Sequence, residues 1–326
     1  MPETVNNYAV AMTGGCMLLS LLMAFYLFQK HVGGQPLLRY EPRRRVPWGP
    51  VWASAAVMIA LIPIVDTGEK PTPTNDLFFG WVHIVTTISL VLMVMGCLVA
   101  FVRADLSDLG FPSTWLQLLR DVGLGALACL ASLLPVFVIQ FLLVVSSESQ
   151  TQHPLVEKLI ENHSPERMWM SWAAAVLAAP VFEEFIFRVL LQGWLERRED
   201  ELLGFRASLR EQDLLVDYEQ LETSTPAELE EAVERAPPEP QWDGQRPSQG
   251  WIASLPHGWT PILLSGTLFG LAHFGHGVAW VPLVLLGIVL GYLYQRTHRL
   301  VPCIVAHMLF NAYSMTLLSL QLGEGS

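Results

Sequence analysis

Charged residues are scarce in this chain of 326 residues: they make up only 15% of it, whereas soluble globular proteins carry about 25%. This deficit argues against an ordinary soluble enzyme, and a hydrophobic content of 52% excludes a disordered chain. Lys and Arg form no basic stripe, which argues against nucleic acid as a partner. The four cysteines show no CxxC spacing and lie in apolar runs, where buried hydrophobic roles are expected.

The acidic net charge of −11 is concentrated in one segment. Residues 196–250 contain 15 Asp or Glu against 6 Lys or Arg, and the rest of the chain is nearly neutral. The end of this segment is rich in proline, as is typical of a linker. We therefore predict an acidic insertion, 196–258, within an apolar body.

Long apolar runs dominate the remainder of the chain. A membrane-spanning helix needs about 20 mostly apolar residues, and eight runs approach or exceed that length: 8–28, 46–65, 78–102, 122–145, 168–195, 259–276, 278–294 and 302–322. The sequence predicts an all-α, polytopic membrane protein with about eight transmembrane helices. It further predicts N-terminal membrane helices over 1–145, with about four spans, and a catalytic membrane domain over 146–326, interrupted by the insertion.

The distribution of basic residues predicts the orientation in the membrane, because loops rich in Lys and Arg stay cytoplasmic. With the N-terminus outside, fifteen of the nineteen basic residues fall in cytoplasmic loops, the insertion among them. We expect an integral protein of a bacterial inner (plasma) membrane with its N-terminus outside and lipid as a partner.

Ionisable and strongly polar residues within membrane spans are costly and indicate function. The fifth apolar run contains three of them, in PVFEEFIFR, and the sixth and eighth contain the others. They are Glu183, Glu184, Arg188, His273, His307 and Asn311.

Helical spacing assigns different surroundings to these residues. Glu184 and Arg188 are four residues apart, so they share a helix face and can pair. Glu183 points about 100° away and is left without a partner on its own helix, because Arg188 pairs with Glu184, and this suits a general base. His307 and Asn311 also share a face and are suitable donors to an oxyanion. A purely structural role, an ion pair or a hydrogen bond between helices, stays open for each residue.

Three patterns in this order resemble a known family. Glu183 to Arg188 reads EExxxR, Phe269 to His273 reads FxxxH, and His307 to Asn311 reads HxxxN. These patterns resemble the three motifs of the CAAX-protease and bacteriocin-processing (CPBP, or Abi) family of intramembrane endopeptidases, over about half of the chain.

The resemblance implies a role for each matched residue. Glu183 would activate the hydrolytic water, and His273 would help to hold it. His307 and Asn311 would stabilise the oxyanion, and Glu184 and Arg188 would orient the site. The acidic insertion is longer than the connection that the family usually has at this point.

A metal is not required by this interpretation, although the family is often labelled metalloprotease. Zinc could be bound by Glu183, His273 and His307, but HExxH is absent and Asn311 is a poor zinc ligand. We predict a metal-free site and keep zinc as the alternative.

The sequence therefore predicts an intramembrane endopeptidase that acts on a membrane-associated protein or peptide through a glutamate-activated water. One alternative is a membrane binding or immunity protein that keeps the motifs without turnover. Another is a transporter in which Glu183 relays protons, although the inverted repeats typical of transporters are not visible in the sequence.

Overall fold

The structure, a computed structural model, describes residues 2–41, 45–61, 76–146, 164–202, 257–274 and 277–323. The regular elements within these ranges are all helical, which confirms the all-α fold class. The helices have the apolar composition of a membrane protein.

Four helices are long and apolar enough to cross a bilayer: α1 (Pro2–Val32), α3 (Asp76–Val102), α4 (Trp115–Ser146) and α10 (Leu300–Gly323). Three are shorter: α2 (Pro50–Leu61), α8 (Trp259–Leu271) and α9 (Trp280–Thr297). The remaining helical segments form one continuous stretch, 165–202, which we call the central rod.

The central rod contains two π-helical segments between its α-helical parts. It consists of α5 (Pro165–Trp172), a π-helical segment Ala173–Ala178, α6 (Ala179–Glu184), a second π-helical segment Phe185–Gln192, and α7 (Gly193–Leu202). Pro180 accounts for the first π segment, since proline has no backbone N–H to continue the α-helical ladder. The backbone N–H of Ala179 donates to Ala174, five residues earlier, in the π pattern.

The predicted number of eight spans is wrong for the described residues, four of whose helices meet the length and composition expected of a span. Helix α8 has 13 residues and is about 20 Å long, short of the roughly 30 Å hydrocarbon core. Helix α2 has 12 residues. The run 168–195 is interrupted by the two π segments and contains the charged motif.

Burial explains why the central rod, which contains the first motif, is less typical of a span. Only 6% of the apolar window of α1 and 11% of that of α3 are buried, so these helices lie at the periphery and face lipid. By contrast, all eight residues of Phe185–Gln192 are buried. Helices surrounded by protein can contain π turns and polar side chains because lipid does not contact them.

Helices α8 and α9 form a hairpin that starts and ends at the same end of the molecule. Residue Gly258, before α8, contacts Glu199 of the central rod, and His298, after α9, lies 3.2 Å from Glu196 of the same rod. His273 lies in the turn that follows α8. The hairpin therefore extends from one end of the molecule to the depth of the motif residues.

The other predicted cytoplasmic loops meet at this same end. Arg299 at the start of α10 lies 3.0 Å from both Glu41, after α1, and Asp121, near the start of α4. The insertion is described only at its margins, where α7 continues the rod to Leu202, and residues 203–256 lie outside the described residues. Buried residues from both predicted regions, 1–145 and 146–326, form one hydrophobic core, and the division at 145 stays a prediction.

Candidate active site

Glu184 is the most completely bonded carboxylate of the first motif. Its Oε2 accepts a hydrogen bond of 2.9 Å from Nε of Arg188, and its Oε1 lies 2.9 Å from Nδ1 of His307. All three side chains are buried. The ion pair predicted from the i, i+4 spacing is present, and α10 contributes the histidine that completes it.

Glu183 faces the other two motifs. Its Oε2 is buried without a hydrogen-bond partner, 3.8 Å from Nε2 of His273 and 3.9 Å from Nε2 of His307. About a fifth of the side chain is exposed, whereas Glu184 is fully buried. The two neighbouring glutamates therefore have different surroundings, as their 100° separation around the helix predicts.

Both histidines direct the same ring nitrogen towards Glu183. Nδ1 of His273 lies 2.9 Å from the carbonyl oxygen of Phe269, which can only accept a hydrogen bond, so Nδ1 carries the proton. Nδ1 of His307 is likewise bonded to a carboxylate. Each imidazole is thus fixed by its Nδ1 and presents Nε2 to the carboxylate of Glu183.

Phe269 separates these polar groups from the rest of the hairpin. Its fully buried ring lies 5.3 Å from that of His273 and 5.5 Å from that of His307, and the guanidinium of Arg188 lies over its face at 5.4 Å. A cation over an aromatic face is favourable, and the ring supports both imidazoles.

Asn311 contacts the first π segment of the central rod. Its Nδ2 donates a hydrogen bond of 2.8 Å to the carbonyl oxygen of Ala175. The π-helical partner of this carbonyl would be the N–H of residue 180, which is proline and has none. Pro180 thus frees an acceptor that fixes Asn311, one turn beyond His307 on the same face of α10.

Further polar side chains extend the site along the rod. Nη1 of Arg188 donates to Oγ of Ser265 at 2.9 Å, and more weakly to Oε1 of Gln192 at 3.4 Å. Nε2 of Gln192 donates to the carbonyl oxygen of Gly291 at 2.8 Å and to Glu196 at 3.0 Å. The sequence analysis did not identify Ser265 or Gln192, although Ser265 lies four residues before Phe269 on one face of α8 and His273 follows just beyond the end of that helix.

The distances within the site are longer than those between the ligands of a bound zinc. Ligands at the usual 2.0–2.2 Å from a tetrahedral zinc lie about 3.4 Å from one another. Oε2 of Glu183 is 3.8 and 3.9 Å from the two imidazole nitrogens. Within the described ranges, no group of three His, Cys, Asp or Glu side chains has a geometry that could hold a metal ion.

One comparison with known proteins matches part of the chain. Residues 230–313 match the family model described as Rce1-like, type II CAAX prenyl endopeptidase Rce1-like. No curated protein and no solved structure matches the chain. The relationship to the CAAX-protease family that the motifs predict is confirmed over this part, and at family level it implies a membrane protease.

The matched residues contain only two of the three motifs. His273, His307 and Asn311 lie within 230–313, whereas Glu183, Glu184 and Arg188 precede it. The fold brings the first motif into contact with the matched part, through the bond between Glu184 and His307 and the approach of Glu183 to both histidines. The geometry thus joins all three motifs in one site.

Proposed function

We propose that this chain is an intramembrane endopeptidase that hydrolyses a peptide bond of a membrane-associated protein or peptide, with a water activated by Glu183. The observation that supports this proposal most strongly is the position of Glu183 Oε2. This atom is buried without a hydrogen-bond partner and faces Nε2 of both His273 and His307. A separation of 3.8 Å is too long for a direct hydrogen bond, and a slightly wider one would admit a bridging water.

The proposed first step is attack by this water. It donates one hydrogen bond to the carboxylate of Glu183 and one to Nε2 of His273, which has a lone pair because Nδ1 holds the proton. Glu183 takes a proton as the water oxygen attacks the scissile carbonyl carbon. The carbon–nitrogen bond then breaks, and the proton passes from Glu183 to the leaving amine.

The oxyanion formed by this attack would be stabilised from α10. Glu183 and Glu184 are two carboxylates against one guanidinium, so a proton on His307 balances the charge of the buried group. When His307 is an imidazolium, its Nε2–H can donate to the oxyanion while its Nδ1–H stays hydrogen-bonded to Glu184. Asn311 has a second amide N–H besides the one bonded to Ala175.

The surrounding fold suits a substrate that is already in the membrane. The site lies about 10 Å along α10 from its first residue, Leu300, at the end of the molecule where the basic segments meet. We propose that this end faces the cytoplasm of a bacterial inner (plasma) membrane and that the N-terminus lies outside. Substrate would then approach from the cytoplasmic leaflet.

The test is turnover of a defined peptide. The purified full chain in proteoliposomes is incubated with an internally quenched, farnesylated CAAX peptide, and the cleaved bond is located by mass spectrometry. Wild type should cleave one bond, and Glu183→Ala should not. A wild-type chain that binds the peptide without cleaving it would instead support the binding or immunity function.

Zinc dependence is the second candidate, because Nδ1 of each imidazole is bonded to an acceptor, an arrangement common among zinc-binding histidines. The metal-free reaction predicts full turnover after chelation and less than stoichiometric zinc by elemental analysis. Loss of turnover on chelation, restored by zinc, would overturn the metal-free mechanism.

A further inference from the structure

Ser265 joins two of the motif-bearing helices through a single buried hydroxyl. The side chain, on α8, is fully buried. Its Oγ–H donates to the carbonyl oxygen of Phe187 at 3.0 Å, and its oxygen accepts from Nη1 of Arg188 at 2.9 Å. The hydroxyl is therefore used as both donor and acceptor, and both partners lie on the central rod.

The orientation of Arg188 depends on this hydroxyl. Nε of Arg188 is bonded to Glu184, and the other acceptor for Nη1, Gln192, is 3.4 Å away. Nη2 is buried without a hydrogen-bond partner. Ser265 thus supplies the shorter of the two hydrogen bonds that Nη1 makes.

Arg188 transmits this constraint to the reacting groups. The guanidinium fixes the carboxylate of Glu184, and Glu184 fixes Nδ1 of His307, so the direction of His307 Nε2 depends on both. The bond from Ser265 to Phe187 acts separately, since it fixes the rotation of α8 about its axis. His273 lies two residues beyond the end of α8, and its Nδ1 is bonded to the carbonyl oxygen of Phe269 on that helix, so this rotation sets its distance to Glu183.

We propose that Ser265 is a positioning residue for peptide hydrolysis, acting through Arg188 on His307 and through α8 on His273. The assignment rests on the proposed function. Among the described residues the hydrogen bonds of Ser265 go to Arg188 and Phe187 and not to Glu183, and its removal should therefore slow the chemical step without weakening binding of the peptide.

The experiment compares Ser265→Ala with Ser265→Thr, which keeps a hydroxyl, and with the control Ser132→Ala. Ser132 is also fully buried, but its hydroxyl donates only to Cys129 within its own helix, α4. On the farnesylated peptide, Ser265→Ala should lower kcat about 10- to 100-fold with KM nearly unchanged, as expected for misplaced catalytic groups. Ser265→Thr should recover most of the loss, and Ser132→Ala should keep wild-type kcat.

A double-mutant cycle separates positioning from general packing. Arg188→Lys keeps the charge that Glu184 needs but removes the guanidinium bonded to Ser265. It should lower kcat about as much as Ser265→Ala does, and it tests the same contact if Ser265→Ala does not fold. Adding Ser265→Ala to Arg188→Lys should reduce kcat by less than it does alone, because the contact with Arg188 is already lost and only the bond to Phe187 remains to be removed.

Two results would overturn the proposal in distinguishable ways. If wild type cleaves the peptide but Ser265→Ala or Arg188→Lys keeps wild-type kcat, the positioning role is wrong and the protease function stands. If wild type does not cleave at all, the proposed function fails and the assignment fails with it.

Discussion

Glu183 and Glu184 are adjacent in the sequence, and their bonding partners differ. Glu184 accepts hydrogen bonds from Arg188 and His307, so its charge is compensated and its position is fixed. Oε2 of Glu183 has no such partner and faces two imidazole nitrogens. Substitutions at the two positions should therefore have different consequences, on stability at Glu184 and on chemistry at Glu183.

Glu184→Ala should reduce stability as well as activity. The substitution leaves the Arg188 guanidinium uncompensated in a buried site and removes the acceptor of His307, at an expected cost of about 3–5 kcal/mol. The measurement is thermal unfolding of the purified protein in detergent, with cleavage assayed in parallel.

Glu201→Ala provides a matched control for this substitution. Glu201 also pairs with an arginine four residues away, Arg197, at 2.8 Å, but both side chains are partly exposed. Exposed pairs contribute at most about 1 kcal/mol. Equal melting temperatures for Glu184→Ala and Glu201→Ala would contradict the structural role of the buried pair.

Sequence spacing predicted contacts within one helix better than contacts between helices. The pair Glu184–Arg188 followed from i, i+4 spacing alone. The bond from Ser265 to Arg188 and the bond from Asn311 to Ala175 join residues far apart in the chain, and nothing in the local pattern identifies them. They depend on how the helices pack and on the carbonyl that Pro180 frees.

At the scale of elements, α8 and α9 pack with their backbones in contact. A Cβ on Gly287 would lie 2.7 Å from the carbonyl oxygen of Gly266, and a Cβ on Gly266 would lie 2.8 Å from the amide nitrogen of Ile288. Small residues allow helices to approach this closely within membranes. This contact sets the position of α8, and therefore of His273 beyond its end.

Gly287→Ala should separate α8 from α9 and move His273 away from Glu183. We expect at least a tenfold loss of cleavage, since small displacements of catalytic groups have large effects, and a destabilisation of about 1–3 kcal/mol from overpacking. The control is Gly96→Ala on α3, where a Cβ would meet nothing within 4 Å. If both variants cleave and melt like wild type, the close contact between the helices is not required.

At the scale of the whole molecule, the two ends of the acidic insertion are held together. Oδ1 of Asp200 lies 2.6 Å from Nε2 of His257, and the backbone N–H of Gly258 donates to Glu199 at 2.7 Å. The carboxylate of Glu199 thus lies at the N-terminus of α8, where a negative charge is favourable. The chain leaves the central rod and enters the hairpin at one point, so the position of α8 is set by residues outside 203–256.

Replacing residues 206–250 with a short Gly/Ser linker should therefore leave the fold and peptide cleavage intact. The measurement compares membrane insertion, thermal unfolding and turnover of the deletion variant with those of wild type. Failure to insert, or complete loss of cleavage, would place the insertion in the catalytic core.

Composition was sufficient to predict the fold class, whereas eight spans is more than the described residues contain. Hydropathy measures how apolar a segment is, and a helix covered by protein can be as apolar as one that faces lipid. The run 259–276 became the short α8, and 168–195 became a rod with two π segments, because other helices surround them. Such coverage is a property of the assembled molecule and cannot be read from one segment.

The central claim is that Glu183 is the general base for peptide hydrolysis, and Glu183→Gln tests it most directly because the side chain keeps its size and shape. Cleavage of the farnesylated peptide is measured for wild type, Glu183→Gln and the exposed control Glu166→Gln, with thermal unfolding of all three. The account predicts that Glu183→Gln melts like wild type and that its kcat falls by about 10²- to 10⁴-fold, the usual contribution of a general base. Glu166→Gln should melt and cleave like wild type. Wild-type turnover by Glu183→Gln would contradict the account.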